Sequence, residues 1–184
     1  MTAMARARGL FLGGGLLVGA VVAGGTAWAA SITCTINVNC TGTAGADVLQ
    51  GTTSDDNPIG GLGGNDTVYG GDGDDVLYGD DGPPRNDDGN DQVYGGPGDD
   101  RLSDNGGADL LNGGGGNDTI LAYGDQFASN PGEDTVKAGK GNDSIRTDDG
   151  HKDTVDCGRG KDEVWFDENI DKVAANCEKR HPML

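Results

Sequence analysis

Between Leu49 and Val164 a large aliphatic residue stands two places after an aspartate, once an asparagine, twelve times over. The cleanest copies are Gly70-Gly71-Asp72-Gly73-Asp74-Asp75-Val76-Leu77-Tyr78, then Gly95 to Ser103 and Gly113 to Leu121. One nine-residue period of this kind ties together a glycine-rich turn, an acidic residue and a core residue. The sixth places are Asp47, Asn57, Asp66, Asp75, Asp91, Asp100, Asp109, Asp118, Asp134, Asp143, Asp153 and Asp162. The eighth are Leu49, Ile59, Val68, Leu77, Val93, Leu102, Leu111, Ile120, Val136, Ile145, Val155 and Val164, every one Leu, Ile or Val. A solvated glycine-aspartate linker needs no aliphatic residue at fixed phase. A short strand with one face on a core does, and its flanking residues, such as Thr67 and Tyr69, point outward by alternation.

These residues resemble the RTX, or haemolysin-type, calcium-binding nonapeptide repeats, over about two-thirds of the chain. The resemblance implies an all-β fold, a parallel β-roll (a right-handed β-solenoid) in which two nonapeptides make one coil. Twelve repeats then give about six two-strand coils, stacked at roughly 4.8 Å into an array of about 25–30 Å. It also implies several Ca2+ ions, each lying between the turns of repeats n and n+2. The side-chain ligands would come from Asp66, Asp75, Asp91, Asp100, Asp109, Asp118, Asp134, Asp143 and Asp162. Backbone carbonyls of turn glycines, Gly71, Gly73, Gly96, Gly98, Gly114 and Gly116, would complete them. Calcium requires six to eight hard oxygens, more than one such turn holds. Even repeats from Asp75 onward keep compact hexapeptides, so up to four regular sites are expected there. The odd turns are interrupted near 83–88 and 125–131, and fewer or distorted sites are expected on that edge. Asn or Asp at the fifth place (Asn65, Asp74, Asn90, Asp99, Asn117, Asn142) also tolerates left-handed backbone.

Residues 1–29 read as a signal peptide: Arg6 and Arg8, an apolar run from Gly9 to Ala23, then Ala27-Trp28-Ala29. A retained anchor is the alternative, but the run is short and glycine-rich for a span. Losing Arg6 and Arg8 takes the formal charge from −18 to −20. A chain so acidic, with 36 glycines, would be disordered without recruited cations. It would also repel the phosphates of nucleic acid. The expectation is a secreted, extracellular protein with no stable membrane insertion once the signal is removed.

Outside the cell an even number of cysteines implies disulfides. Of the three possible pairings, Cys34–Cys40 with Cys157–Cys177 is favoured, because each pair flanks one end of the array. Zinc fits neither these spacings nor the scarcity of histidine. The domain reading is therefore a signal at 1–29, an N-terminal cap at 30–41, the calcium-binding β-roll at 42–165, and a C-terminal cap and tail at 166–184. The front cap is expected to be a small disulfide-closed hairpin. At the back, Trp165 or Phe166 is expected to cover the last aliphatic layer.

Neither H-E-x-x-H nor G-x-S-x-G occurs, and the only histidines are His151 and His181. A non-enzymatic calcium-binding protein whose folding is coupled to extracellular calcium is the expected function. The competing reading is an adhesion or surface-matrix component that binds an unidentified protein or glycan through loops 83–88 and 125–131. Tyr69 and Tyr94, at the ninth place of neighbouring odd repeats, should stack on one outer face.

Overall fold

The computed structural model describes residues 16–17, 30–35, 39–80, 89–122 and 132–183. The chain is an all-β parallel solenoid of about seven turns, and the described residues include no helix. One sheet contains β1 (Leu16–Leu17), β2 (Ser31–Thr33), β4 (Val48–Gln50), β6 (Thr67–Tyr69) and β8 (Gln92–Pro97). It continues through β10 (Leu110–Gly115), β12 (Thr135–Gly141), β14 (Thr154–Gly160) and β16 (Lys172–Val173). The other contains β3 (Cys40–Thr41), β5 (Ile59–Gly60), β7 (Val76–Tyr78) and β9 (Arg101–Asp104). It ends with β11 (Thr119–Ala122), β13 (Ser144–Thr147), β15 (Glu163–Asp167) and β17 (Lys179–Met183). Every pairing is parallel except β1 with β2. Apart from β1, the segment read as a signal peptide falls outside the described residues, and so do the loops at 83–88 and 125–131.

Strict register explains why the aliphatic phase never slips. In the first sheet Leu49 pairs with Val68, Val68 with Val93, Val93 with Leu111, Leu111 with Val136 and Val136 with Val155. In the second, Ile59, Leu77, Leu102, Ile120, Ile145 and Val164 stack likewise. All twelve are at most 1% exposed and form one continuous core between the sheets. A one-residue slip would turn each of them to solvent. Tyr69 and Tyr94 stack outside that core, with ring centroids 5.1 Å apart.

The ends extend the solenoid. The front cap is not a hairpin: β2 pairs with β4 and β3 with β5, in different sheets, and the Cys34–Cys40 disulfide joins them. Parallel pairing with the next coil satisfies backbone groups that a hairpin would leave facing the array. At the back, Cys157–Cys177 ties β14 to the tail. Phe166 and Val173 pack on the core, while Trp165 stacks on His181.

Close backbone stacking fixes the glycines of the even turns. Gly116 has φ +139°, and a Cβ there would lie 1.9 Å from the Gly98 carbonyl oxygen. Gly115, next to it, has nothing within 4 Å of a Cβ. Gly116→Ala should therefore lose more than about 2 kcal/mol, combining left-handed strain with a backbone clash. Gly115→Ala should be near neutral. Thermal melts of the two variants check this, and equal melting temperatures would refute it.

Candidate metal centre

Two ladders of carboxylates run the length of the solenoid, one along each edge. On the even edge the Asp56 N–H donates to Asp75 Oδ1 at 2.7 Å, Asp75 N–H to Asp100 Oδ1 at 2.9 Å and Asp100 N–H to Asp118 Oδ1 at 2.9 Å. Asp118 N–H then donates to Asp143 and Asp143 N–H to Asp162, at 2.8 and 2.9 Å. The odd edge runs through Asp47, Asp66, Asp91, Asp109, Asp134 and Asp153 in the same way, each step between 2.7 and 2.9 Å. Each aspartate thus uses one oxygen to hold the turn of the preceding coil.

The second oxygen is different. Oδ2 of Asp66, Asp75, Asp100, Asp118, Asp143, Asp153 and Asp162 is buried and accepts no hydrogen bond. In Asp66, Asp75, Asp100 and Asp118 it faces the first glycine of its own turn. A Cβ at Gly95 would lie 2.3 Å from Asp100 Oδ2 and 2.5 Å from the Gly113 carbonyl oxygen. Gly70 stands the same way to Asp75 Oδ2 and the Gly95 carbonyl, and Gly113 to Asp118 Oδ2 and the Ala138 carbonyl. In these turns the first glycine thus leaves room for a group that both a carboxylate and a carbonyl can address. In the last two even turns that place is taken by Ala138 and Cys157, both fully buried.

Buried charge without a counterion is unfavourable, and the acidities record it. Burial, above all, pushes Asp66, Asp100 and Asp118 up to about 7, and Asp75, Asp134 and Asp143 up to about 6. Asp109 and Asp153 rise to about 9 and Asp162 is also raised, in each case mainly by burial. The N–H donated by the preceding aspartate opposes the shift in each. Repulsion from neighbouring acids adds to most of them. A multivalent cation held by hard oxygens removes the conflict, and the donor set here is carboxylate and carbonyl oxygen only, which suits calcium.

The structure thus brings the nine expected aspartates into two columns. The carbonyls of Gly71, Gly96 and Gly114 each face the equivalent glycine of the next coil, as do those of Gly73, Gly98 and Gly116. One expectation is corrected. Asn57 is exposed and outside the ladder, and Asp56 takes its place at 2% exposure. One extra residue separates Asp56 from Ile59 compared with the other repeats. The odd carboxylate ladder keeps its hydrogen bonds past both insertions, and among the described residues paired positive-φ glycines occur in the five even turns alone. The fifth-place residues do not adopt left-handed backbone. They build outer ladders of their own, with Asp99 N–H donating to Asp74 Oδ1, Asn117 N–H to Asp99 Oδ1 and Asn142 N–H to Asn117 Oδ1.

Sequence reasoning missed Asp171 and Glu178, which accept from Asp153 N–H and Asp162 N–H and carry both ladders into the C-terminal cap. It also missed Asp80 and Asp104. Asp104 was legible as the one acid at a first turn place that Gly61 and Gly79 occupy in the two preceding coils.

A parallel solenoid edged by buried carboxylates, each with one oxygen committed to the fold, is a cation-binding β-roll. The chain belongs to the RTX calcium-binding nonapeptide repeat family, four copies of whose model match residues 41–57, 58–83, 86–120 and 128–164. Searches of curated proteins and of solved structures each give no match.

Proposed function

We propose that this chain is a secreted, non-enzymatic protein whose β-roll folds on extracellular calcium. The observation that carries the reading is the row of buried Oδ2 atoms that accept no hydrogen bond and face the turn interiors. Asp66, Asp75, Asp91, Asp100, Asp109, Asp118, Asp134, Asp143 and Asp162 are the side-chain ligands in this reading, with carbonyls of Gly71, Gly73, Gly96, Gly98, Gly114 and Gly116. Bound calcium supplies the positive charge that lets the buried carboxylates stay ionised. The turns contribute by pre-aligning those oxygens through the Oδ1 ladders. The aliphatic core is thin, and the excess of acidic charge expands the unfolded chain. Binding free energy then becomes folding free energy. Its disulfides suit an oxidising compartment.

The test is far-UV circular dichroism of residues 30–184 during a calcium titration, with magnesium as control. A cooperative coil-to-β change with calcium alone is expected. Magnesium should fail, since it needs a smaller octahedral cage and sheds its waters reluctantly. A chain fully β-structured in chelator would overturn the coupling of folding to calcium.

A further inference from the structure

The structure assigns Asp80, Asp91 and Asp104 to a calcium centre of their own, a three-carboxylate site on the odd edge that the one-aspartate-per-turn pattern does not contain. This rests on the calcium reading above and adds to it a site with more charge than the repeat itself supplies. One carboxylate oxygen from each of the three lies within 4.8 Å of the others, and the residues are 3%, 1% and 2% exposed.

Register explains how the three meet. Tyr78 pairs with Ser103 and Asp104 with Ala122, so Asp104 stands directly over Gly79 and under Ala122. At Gly79 a Cβ would fall 2.0 Å from Asp104 Oδ2 and 2.6 Å from Asp91 Oδ2. Gly79 is therefore the open floor of a space that two carboxylates address. Asp104 is aimed into it: Oδ1 accepts the Asn105 N–H at 2.8 Å, while Oδ2 is buried and accepts no hydrogen bond. Asn105 in turn donates from Nδ2 to the Asp80 carbonyl oxygen at 3.4 Å, which ties the two turns together.

Asp109, one coil on, accepts the Asp91 N–H at Oδ1 and donates its own N–H to Asp134 Oδ1, so its carboxylate stands beside Asp91 at the edge of the space. Three or four carboxylates, with neither nitrogen nor sulfur among them, select a hard divalent ion. Calcium affinity rises with ligand charge, so this centre is the tightest in the molecule.

Calorimetric titration of the full chain with calcium chloride, disulfides intact, tests this on wild type, Asp104→Gly and Asp80→Asn. Asp104→Gly restores the residue found at this place in the two coils before, so the backbone has a precedent. The expected result is the loss of one calcium equivalent from the tightest class, or at least about a tenfold weakening of it, in both variants. If Asp104→Gly fails to fold by circular dichroism, Asp80→Asn decides alone. Wild-type binding with variants that match it in number and affinity would overturn this centre and leave the calcium reading standing. A wild-type chain that binds no calcium would overturn both.

Discussion

In chelator, the chain should gain β-structure as the pH falls from 8 to about 4.5, and this is the largest solvent effect the structure predicts. The sign follows from the direction of the shifts. An aspartate in the unfolded chain titrates near 3.9. In the folded chain Asp75, Asp134 and Asp143 titrate near 6, and Asp66, Asp100 and Asp118 near 7. Between those limits the folded state holds more protons than the unfolded one, so acid favours folding. The contribution is complete below about pH 4 and is lost as the pH rises through 6 to 7. Asp109 and Asp153, near 9, extend the loss into the alkaline range. Most proteins behave oppositely, because their carboxylates are paired in the native state. With calcium present the dependence reverses, since the ion competes with protons for the same oxygens. A site with two raised carboxylates should lose up to about a hundredfold in apparent affinity per pH unit below 6. Circular dichroism against pH, in chelator and in calcium, reads both limbs. A chelated chain that loses β-structure on acidification would sink the account.

What could be read in the residues was the periodic part. Leu49 to Val164 announced the core because a side chain every nine residues has one place to go when parallel strands stack in register. The even turns were legible for the same reason: Gly114 and Gly116 repeat because only glycine fits beneath the carbonyl of the coil below. Asp56 was hidden by the phase itself. Alignment from Ile59 backwards lands on Asn57, whereas the fold keeps the buried acid one residue further back. Asp171 did carry the signal, because Val173 stands two places after it and pairs with Val155, whereas Glu178 has Arg180 at that place and was out of reach. Any carboxylate brought to that register can accept the next N–H, and for Glu178 only the stacked coils show that it does. Asp80 and Asp104 are 24 positions apart, and their meeting depends on an insertion whose length the repeat does not prescribe. The interrupted edge therefore looked degraded in sequence, and it is there that three buried carboxylates gather among the described residues.

Asp100→Asn should stabilise the calcium-free chain and destabilise the calcium-loaded one, a crossover that no purely structural role produces. The substitution keeps an oxygen for the Asp75 N–H, now 2.9 Å from Asp100 Oδ1, so the ladder survives. It deletes the charge on the oxygen that faces Gly95 and the Gly113 carbonyl. Without calcium that charge opposes folding at neutral pH, because Asp100 titrates near 7 and is buried. With calcium it is a ligand, and its removal should weaken the adjoining sites by at least about 10–100-fold, the range already seen for changes one shell further out. Asp100→Ala separates the two roles. It removes the acceptor as well and leaves the Asp75 N–H buried without a partner, at a loss of about 1–3 kcal/mol. The alanine variant should therefore lose the advantage that asparagine has in chelator, and it should bind calcium no better. Thermal melts of all three chains, in chelator and in saturating calcium, supply the comparison. If asparagine lowers the melting temperature equally in both conditions, the Asp100 carboxylate is a strut and not a ligand.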